Sequence, residues 1–485
     1  MDKQYTSEIG FVVSSRDFLV NLDGLPSAKI NDLVESNNSR GWVNALSFES
    51  IEVLMLDEGK FTPGQVFKKL PQILGITLNK SVLGRSINPL GIPIDGKGPF
   101  LKQGEGTFLE LEQEAVGIAG REFISHQFAT GITLIDTLIP VGKGQRELII
   151  GDAHSGKSSF LIDAVVNQKD TGVICVMGLI GKTASSTRNI IDTLRSNNAL
   201  SYTVVVASLS TDPAPLIYLT PKTAITVAEY FQKQGLDVLL ILDDMGTHAK
   251  IYREMSLLNN RPPGRQSYPG DIFYQQAHLM ERAGNFNPSA GGGSITALPV
   301  VEINLNDFAS LIPTNLMAMT DGHLLFSSSL FSQNLRPAIE LPLSVSRVGR
   351  QTQSILSNAL SLKIRNILSQ ASELETVSKF SSELPTQTQT LLRQKGLIDE
   401  TLKQDFLNPV ALPLQSILLG LIFTSFLQDK DAFFMEKYKK TILSSFLKRP
   451  ELIPITKKVP EFKTEAELIK ALEAVVPILN TICPL

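Results

Sequence analysis

The chain has 485 residues, 43% hydrophobic and 19% charged, a folded composition too long for one core, so two to four domains are expected. A formal net charge of −3 at pH 7 argues against nucleic acid as the main partner, and two cysteines, Cys175 and Cys483, leave no disulfide framework. The start, M-D-K-Q-Y-T-S-E, lacks the apolar core of a secretory signal, and the longest oily run, Ile417 to Leu427, is too short to span a bilayer.

Residues 1–75 carry short β-rich segments, Gly10 to Ser14, Phe18 to Leu22, Trp42 to Phe48 and Ile51 to Leu56. Turn residues such as S-N-N-S-R-G separate them, a spacing that predicts a small barrel. Trp42 reads as a core anchor.

From residue 76 to 353 the pattern changes. Gly84 to Pro99 is a Gly/Pro-rich connector, after which strands and helices alternate. Arg146 to Ile150, Gly172 to Leu179, Tyr202 to Ser208 and Val238 to Leu242 read as strands. Ser158 to Gln168, Ser185 to Arg195 and Pro221 to Lys233 read as helices. This βα alternation predicts a mostly parallel sheet covered on both faces. Residues 354–485 read as helices: Leu360 to Phe380, Leu384 to Lys395, Leu412 to Leu427, Ala432 to Phe446 and Glu465 to Leu479.

Between the first of those strands and the first helix lies Gly151 to Ser158, G-D-A-H-S-G-K-S. It fits the phosphate-loop pattern, in the strand-loop-helix setting that pattern needs. Gly151 and Gly156 let successive N–H groups turn toward one anion, and the helix N-terminus adds partial positive charge. In this reading Lys157 reaches the β/γ phosphates and the Ser158 hydroxyl ligates Mg²⁺. Downstream, V-L-L-I-L-D-D ends an apolar strand in two carboxylates, where a nucleotide-binding ATPase places its Mg²⁺-organising aspartate. Mg²⁺ keeps several waters, so Asp243 is expected to act through water. Five scattered histidines without paired spacing predict no metal other than Mg²⁺.

These stretches resemble the alpha subunit of rotary F-type ATP synthases. The resemblance is carried by P-V-G-K-G-Q-R-E-L-I-I-G-D (140–152), R-P-P-G-R-Q-S-Y-P-G-D-I-F-Y (261–274), G-G-G-S-I-T-A-L-P-V-V-E (291–302), I-P-T-N (312–315) and R-P-A-I-E-L-P-L-S-V-S-R-V-G (336–349). It implies a multidomain α/β fold with an N-terminal β-barrel, a central RecA-like P-loop domain with a mostly parallel sheet and a C-terminal helical bundle. It implies a hexameric ring with beta-type catalytic subunits around a gamma-type shaft, an outer-stalk partner, and a peripheral position on the cytoplasmic or equivalent face of an energy-coupling membrane. It also implies that alpha binds Mg-ATP or Mg-ADP at Gly151, Asp152, Ala153, His154, Ser155, Gly156, Lys157 and Ser158, with Phe331, Arg336 and Pro337 around the base. Arg347 is implied as an arginine finger acting in trans on the neighbour, with Ser344 in support. A guanidinium there gives fixed charge and forked donors to the γ-phosphoryl oxygens.

Catalytic relatives carry a glutamate after the strand beside the loop. This chain reads G-L-I-G-K-T-A-S-S-T there, with Lys182 where the alpha pattern has glutamine and no carboxylate between Ile174 and Asn189. An ammonium accepts no proton from water, so this chain's own site is expected to be silent. Other departures are Ala153 and His154 in place of Arg and Gln, and Lys379 in V-S-K-F-S-S (377–382). The family's N-terminal stalk-docking helix has no counterpart before E-I-G-F-V-V. Asn304 to Asp307 are expected shaft contacts. The alternative is a self-sufficient homohexameric P-loop motor, a secretion-type ATPase or a helicase-like relative, which needs the glutamate that is absent.

Overall fold

The computed structural model describes residues 8–48, 50–102, 104–303, 307–378 and 386–484. Six strands, β1 (Ile9–Arg16), β2 (Leu19–Gly24), β3 (Asp32–Ser36), β4 (Ser39–Leu46), β5 (Ile51–Met55) and β6 (Val66–Ile73), close an antiparallel barrel in the order β1-β2-β5-β4-β3-β6. Sequence reading missed β3 and β6; D-L-V-E-S is short and half polar, and it alternates inward and outward only once paired. The barrel core is Val20, Leu22, Val34, Val43, Val53, Met55 and Phe67, all fully buried. Trp42 on β4 is 3% exposed and stacks on Tyr218 at 6.4 Å. It therefore joins the barrel to the next layer as well as anchoring its own strand.

The predicted connector contributes a strand of its own, β7 (Ser86–Ile87). β8 (Glu147–Asp152) leads into the glycine loop and helix α1 (Lys157–Val166). Then follow β9 (Ile174–Lys182), β10 (Thr203–Leu209), α2 (Ala214–Gln232), β11 (Asp237–Asp243), α3 (Met245–Leu258) and β12 (Ser294–Ile303). The strands lie in the order β8-β12-β11-β9-β10-β7. Their pairings are parallel, from the Arg146–Ala297 bridge at β8 to Val205–Ser86 at β7. Val238, Leu239, Leu240, Ile241 and Leu242 are at most 1% exposed, the unbroken apolar run of a strand covered on both faces.

Helix α2 begins seven residues before the predicted start at Pro221. Pro215 occupies its first turn, where a missing N–H costs nothing, and Pro221 lies inside. Nearly every residue of α2 is buried, so packing against the sheet outweighs the local break at Pro221.

The contacts group into two compact units. One comprises Met1–Phe123, Arg146–Ile150 and Gln168–Thr320; the other Ile124–Gln145, Gly151–Asn167 and Asp321–Leu485. The second contains β13 (Gly322–Phe326) paired with β14 (Val345–Ser346), and the C-terminal helices. Two of the predicted helices are broken. The segment 412–427 is helical over Leu412–Leu421, and a separate turn begins at Ser425, whose N–H and hydroxyl are both held by the Glu473 carboxylate at 2.7 and 2.6 Å. The segment 465–479 divides into Glu465–Glu473 and Val476–Ile482, with Pro477 in the first turn of the second. The architecture is a six-stranded barrel, a mostly parallel nucleotide-domain sheet and a C-terminal helical region. No helix among the described residues is long and apolar enough to cross a membrane.

Candidate functional site

The glycine loop is built from two constraints. A Cβ on Gly151 would sit 2.2 Å from the Phe326 carbonyl oxygen, so only glycine fits against β13. Gly156 has φ +95° and His154 φ +57°, the left-handed turns that bend the loop back toward α1. Lys157 is 8% exposed, and its ammonium donates to the carbonyl oxygens of Gly151, at 2.9 Å, and Asp152. The Ser155 hydroxyl donates to the Asp152 carbonyl at 2.7 Å, and Ser328 donates to the Asp152 carboxylate at 3.0 Å. Ala153, His154 and Ser158 are exposed. The loop is thus shaped by its own side chains, with Ser158 open at the start of the helix.

Beside the loop a cavity of about 260 Å³ is lined by Gly156, Phe326, Phe331, Arg336, Pro337 and Phe406, among others. The Arg336 guanidinium lies over the Phe331 ring at 4.9 Å. Phe331, Arg336 and Pro337 are therefore brought together in one cavity wall. Phe406 and Gln404 in the same lining were missed, because K-Q-D-F lies more than 200 residues from the loop and carries no local signal, and Asp163 on α1 was missed as well. The Gln404 amide is fully used: it accepts from the Thr133 N–H and hydroxyl, and donates to the Gly131 and Asn408 carbonyls. Asp163 accepts from the Leu407 N–H at 2.8 Å, and burial raises its carboxyl to about 6.

The two carboxylates that end β11 take different roles. Asp244 caps α3, accepting from the Thr247 N–H at 2.7 Å. Asp243, 5% exposed, accepts a 2.8 Å bond from the Lys182 ammonium at the end of β9. Asp243 offers a carboxylate, a donor type that suits a divalent cation with a preference for oxygen. Asp243, however, already carries a positive partner.

Arg347 is exposed, on the turn after β14, and takes part in no ion pair among the described residues. Its backbone is pinned from several sides. Its N–H donates to the Asp321 carbonyl at 3.0 Å. Ser344 accepts from the Leu325 N–H at 3.0 Å and donates to the Glu340 carbonyl at 2.8 Å. Ser346 donates to the Pro140 carbonyl at 2.7 Å and accepts from the Gly349 N–H at 3.1 Å. Sequence reading singled out Ser344 and not Ser346; both brace the turn. Asn304 to Asn306 and Lys379 lie outside the described residues, and Asp307 is exposed.

Comparison with known proteins bears on most of the sequence. The profile of the ATP synthase alpha/beta family nucleotide-binding domain matches residues 131–346, and the profile of the C-terminal domain of ATP synthase alpha/beta chains matches 351–476. An ATP synthase subunit alpha of Mycoplasma pneumoniae is 40% identical over 471 residues, 96% of this chain and 89% of its own. That of Mycoplasma genitalium is 40% identical over 448 residues, 92% and 86% of the two proteins. The subunit alpha of Caldanaerobacter subterraneus is 40% identical over 426 residues, 87% and 84%. With a barrel, a phosphate-loop sheet and a C-terminal helical region in that order, the chain belongs to the ATP synthase alpha/beta family, as an F-type alpha subunit.

Proposed function

We propose that this chain grips ATP or ADP without turning it over and completes a catalytic site on a beta-type neighbour through Arg347. The observation that carries this is a pinned turn with a free end: the Arg347 backbone is held at Ser344, Ser346 and Asp321, while its side chain is exposed. A finger must be fixed at its base and unengaged at its tip. The silence of the chain's own site follows from Lys182, which stands where a water-orienting carboxylate is needed and is tied to Asp243.

The nucleotide lies in this reading along Gly151, Asp152, Ala153, His154, Ser155, Gly156, Lys157 and Ser158, with its base beside Phe331, Arg336 and Pro337. Ser158 would be the direct donor to Mg²⁺, with Asp243 as the supporting carboxylate expected to act through water. The bound cation would screen phosphate charge, and Lys157 would supply the fixed charge on the β/γ phosphates. The chain organises as three domains, 1–75, 76–353 and 354–485. Its partners are beta-type subunits in an alternating ring, a gamma-type shaft reached by the loop within 300–315, and an outer stalk. The assembly sits peripherally on an energy-coupling membrane and links nucleotide chemistry to ion movement.

The test is Arg347→Ala in the assembled ring. Assembly is expected to persist while phosphate release falls by about 10³- to 10⁵-fold. Arg347→Lys is expected not to restore it, because lysine lacks the planar fork. Near-normal turnover by Arg347→Ala rings, or steady hydrolysis by the chain alone, rules the reading out.

A further inference from the structure

Most of the cavity beside the glycine loop is apolar, with Phe160, Phe326, Phe331, Pro337 and Phe406 in its walls. Aromatic walls hold a flat ring by stacking, and they hold every base about equally well, since every base has a π-face. Choice among bases therefore falls to the polar groups of the lining, which are Ser159, Asp163, Arg336 and Gln404.

Three of these four have little to offer a base edge. The Arg336 guanidinium lies over Phe331 at 4.9 Å and adds one more flat face. The Gln404 amide oxygen accepts from the Thr133 N–H and hydroxyl, both at 3.1 Å. Its nitrogen donates to the Gly131 and Asn408 carbonyls at 2.6 and 2.8 Å. An amide has two lone pairs on oxygen and two N–H donors, so all of Gln404 is spent inside the protein. The half-buried Ser159 carries a hydroxyl that turns to donate or accept, and so it selects weakly.

Asp163 differs. It is 5% exposed and lies one helical turn beyond Ser159 on α1. Its Oδ1 accepts from the Leu407 N–H at 2.8 Å, while Oδ2 makes no hydrogen bond or ion pair among the described residues. Burial against a single donor is what raises the carboxyl to about 6. Once ionised, it is an acceptor only, with one oxygen still short of a donor in the cavity wall. Guanine presents two adjacent donors, which match a carboxylate with both oxygens open. One open oxygen matches a single amino group.

We propose that Asp163 selects the base, its open carboxylate oxygen accepting a hydrogen bond from the 6-amino group of adenine. The proposal rests on the nucleotide-binding reading above and deepens it, since it names the residue that makes the site one for adenine nucleotides. Stacking on the aromatic walls supplies affinity without choice, and Asp163 supplies the choice. A site built to pair with an N–H group rejects the analogue that lacks it.

The experiment is calorimetric titration of the full-length chain, at about pH 8 in Mg²⁺, with ATP and with purine riboside triphosphate. The two ligands differ only in the 6-amino group. The quantity read is the ratio of their dissociation constants for each protein. Wild type is expected to bind the analogue at least about tenfold more weakly, the worth of a hydrogen bond to a charged group. Asp163→Asn keeps an oxygen for the Leu407 N–H and turns a donor toward the cavity, so its ratio is expected to be at least fivefold smaller. Ser159→Ala is expected to keep a ratio within fivefold of wild type. A wild-type ratio under tenfold overturns the proposal, as does a smaller drop in Asp163→Asn. A fivefold or greater drop in Ser159→Ala would give the choice to Ser159 and overturn it too. Asp163→Ala takes the place of Asp163→Asn if that variant does not fold, and the wild-type ratio needs no variant. Absence of ATP binding to wild type would remove the nucleotide-site reading and this proposal with it; ATP binding with a ratio under tenfold removes only the proposal.

Discussion

A Cβ on Gly349 would lie 1.5 Å from the carbonyl oxygen of Pro140. The same carbonyl accepts the Ser346 hydroxyl at 2.7 Å, so the turn that carries Arg347 is seated against this point. Gly349→Ala must push the turn away. Misplacing a reacting group by about 1 Å costs roughly 10²-fold in rate. The assembled ring is expected to lose about that much phosphate release, while ATP binding by the isolated chain stays within about twofold of wild type, since the role proposed for this turn lies in the neighbour's chemistry. Unchanged turnover would mean that the seat does not set Arg347's position.

Lys157 is expected to bind phosphate and to hold its own loop closed. Lys157→Gln removes the charge and weakens the bonds to the Gly151 and Asp152 carbonyls. Hydrogen bonds to charged groups contribute about 1.5–3 kcal/mol, so ATP affinity should fall about 10- to 100-fold by calorimetry. Far-UV circular dichroism should not change. Retained affinity would place the phosphates away from this loop.

Glu229 and Arg282 form a buried pair bonded twice, at 2.8 Å each, and Arg282 also donates to the Leu111 carbonyl and the Thr226 hydroxyl. Arg282 is 3% exposed. Removing one member leaves the other charge buried alone, which costs about 3–5 kcal/mol. Glu229→Ala should lower the urea midpoint of the first unfolding step accordingly. A loss below about 1 kcal/mol would show that Arg282 finds water or another acceptor.

Asp163 gives the fold a pH dependence of defined sign. Burial raises its carboxyl from the ordinary 3.8 to about 6. Between those values the folded chain holds a proton that the unfolded chain has released. Stability is therefore full below about pH 4 for this group and falls as pH rises to about 6. A carboxyl moved from 3.8 to about 6 represents about 3 kcal/mol at the full shift. Asp163→Asn should flatten the slope of the urea midpoint between about pH 4 and about pH 6. A slope identical to wild type would assign the dependence to another group, such as Asp136, which burial also raises to about 6.

Much of the architecture was legible because local signals agreed with one another. The apolar run Val238 to Leu242, the loop from Gly151 to Ser158 and the polar turns between barrel strands each point one way. The signals failed where long-range contacts outweigh them. Pro221 reads as a helix start but lies within α2, since that helix is buried along nearly its whole length. The run to Leu427 reads as one helix but stops at Leu421, and Glu473, about fifty residues on, holds the turn that follows.

The site shows the same division. Residue types and spacing by themselves pointed to a phosphate loop, to Asp243 as its partner aspartate and to the lack of a carboxylate after β9, while the arginine of S-V-S-R-V-G was singled out only through the family resemblance. Only the tertiary structure decided how the two aspartates divide, Asp244 capping a helix and Asp243 meeting Lys182. It also brought Phe406 and Asp163 into one cavity wall and set Ser346 beneath Arg347's turn. The physical reason is that chemistry resides in residue types, which a sequence displays directly. Partners far apart along the sequence are chosen by strand register and packing, which no local pattern encodes.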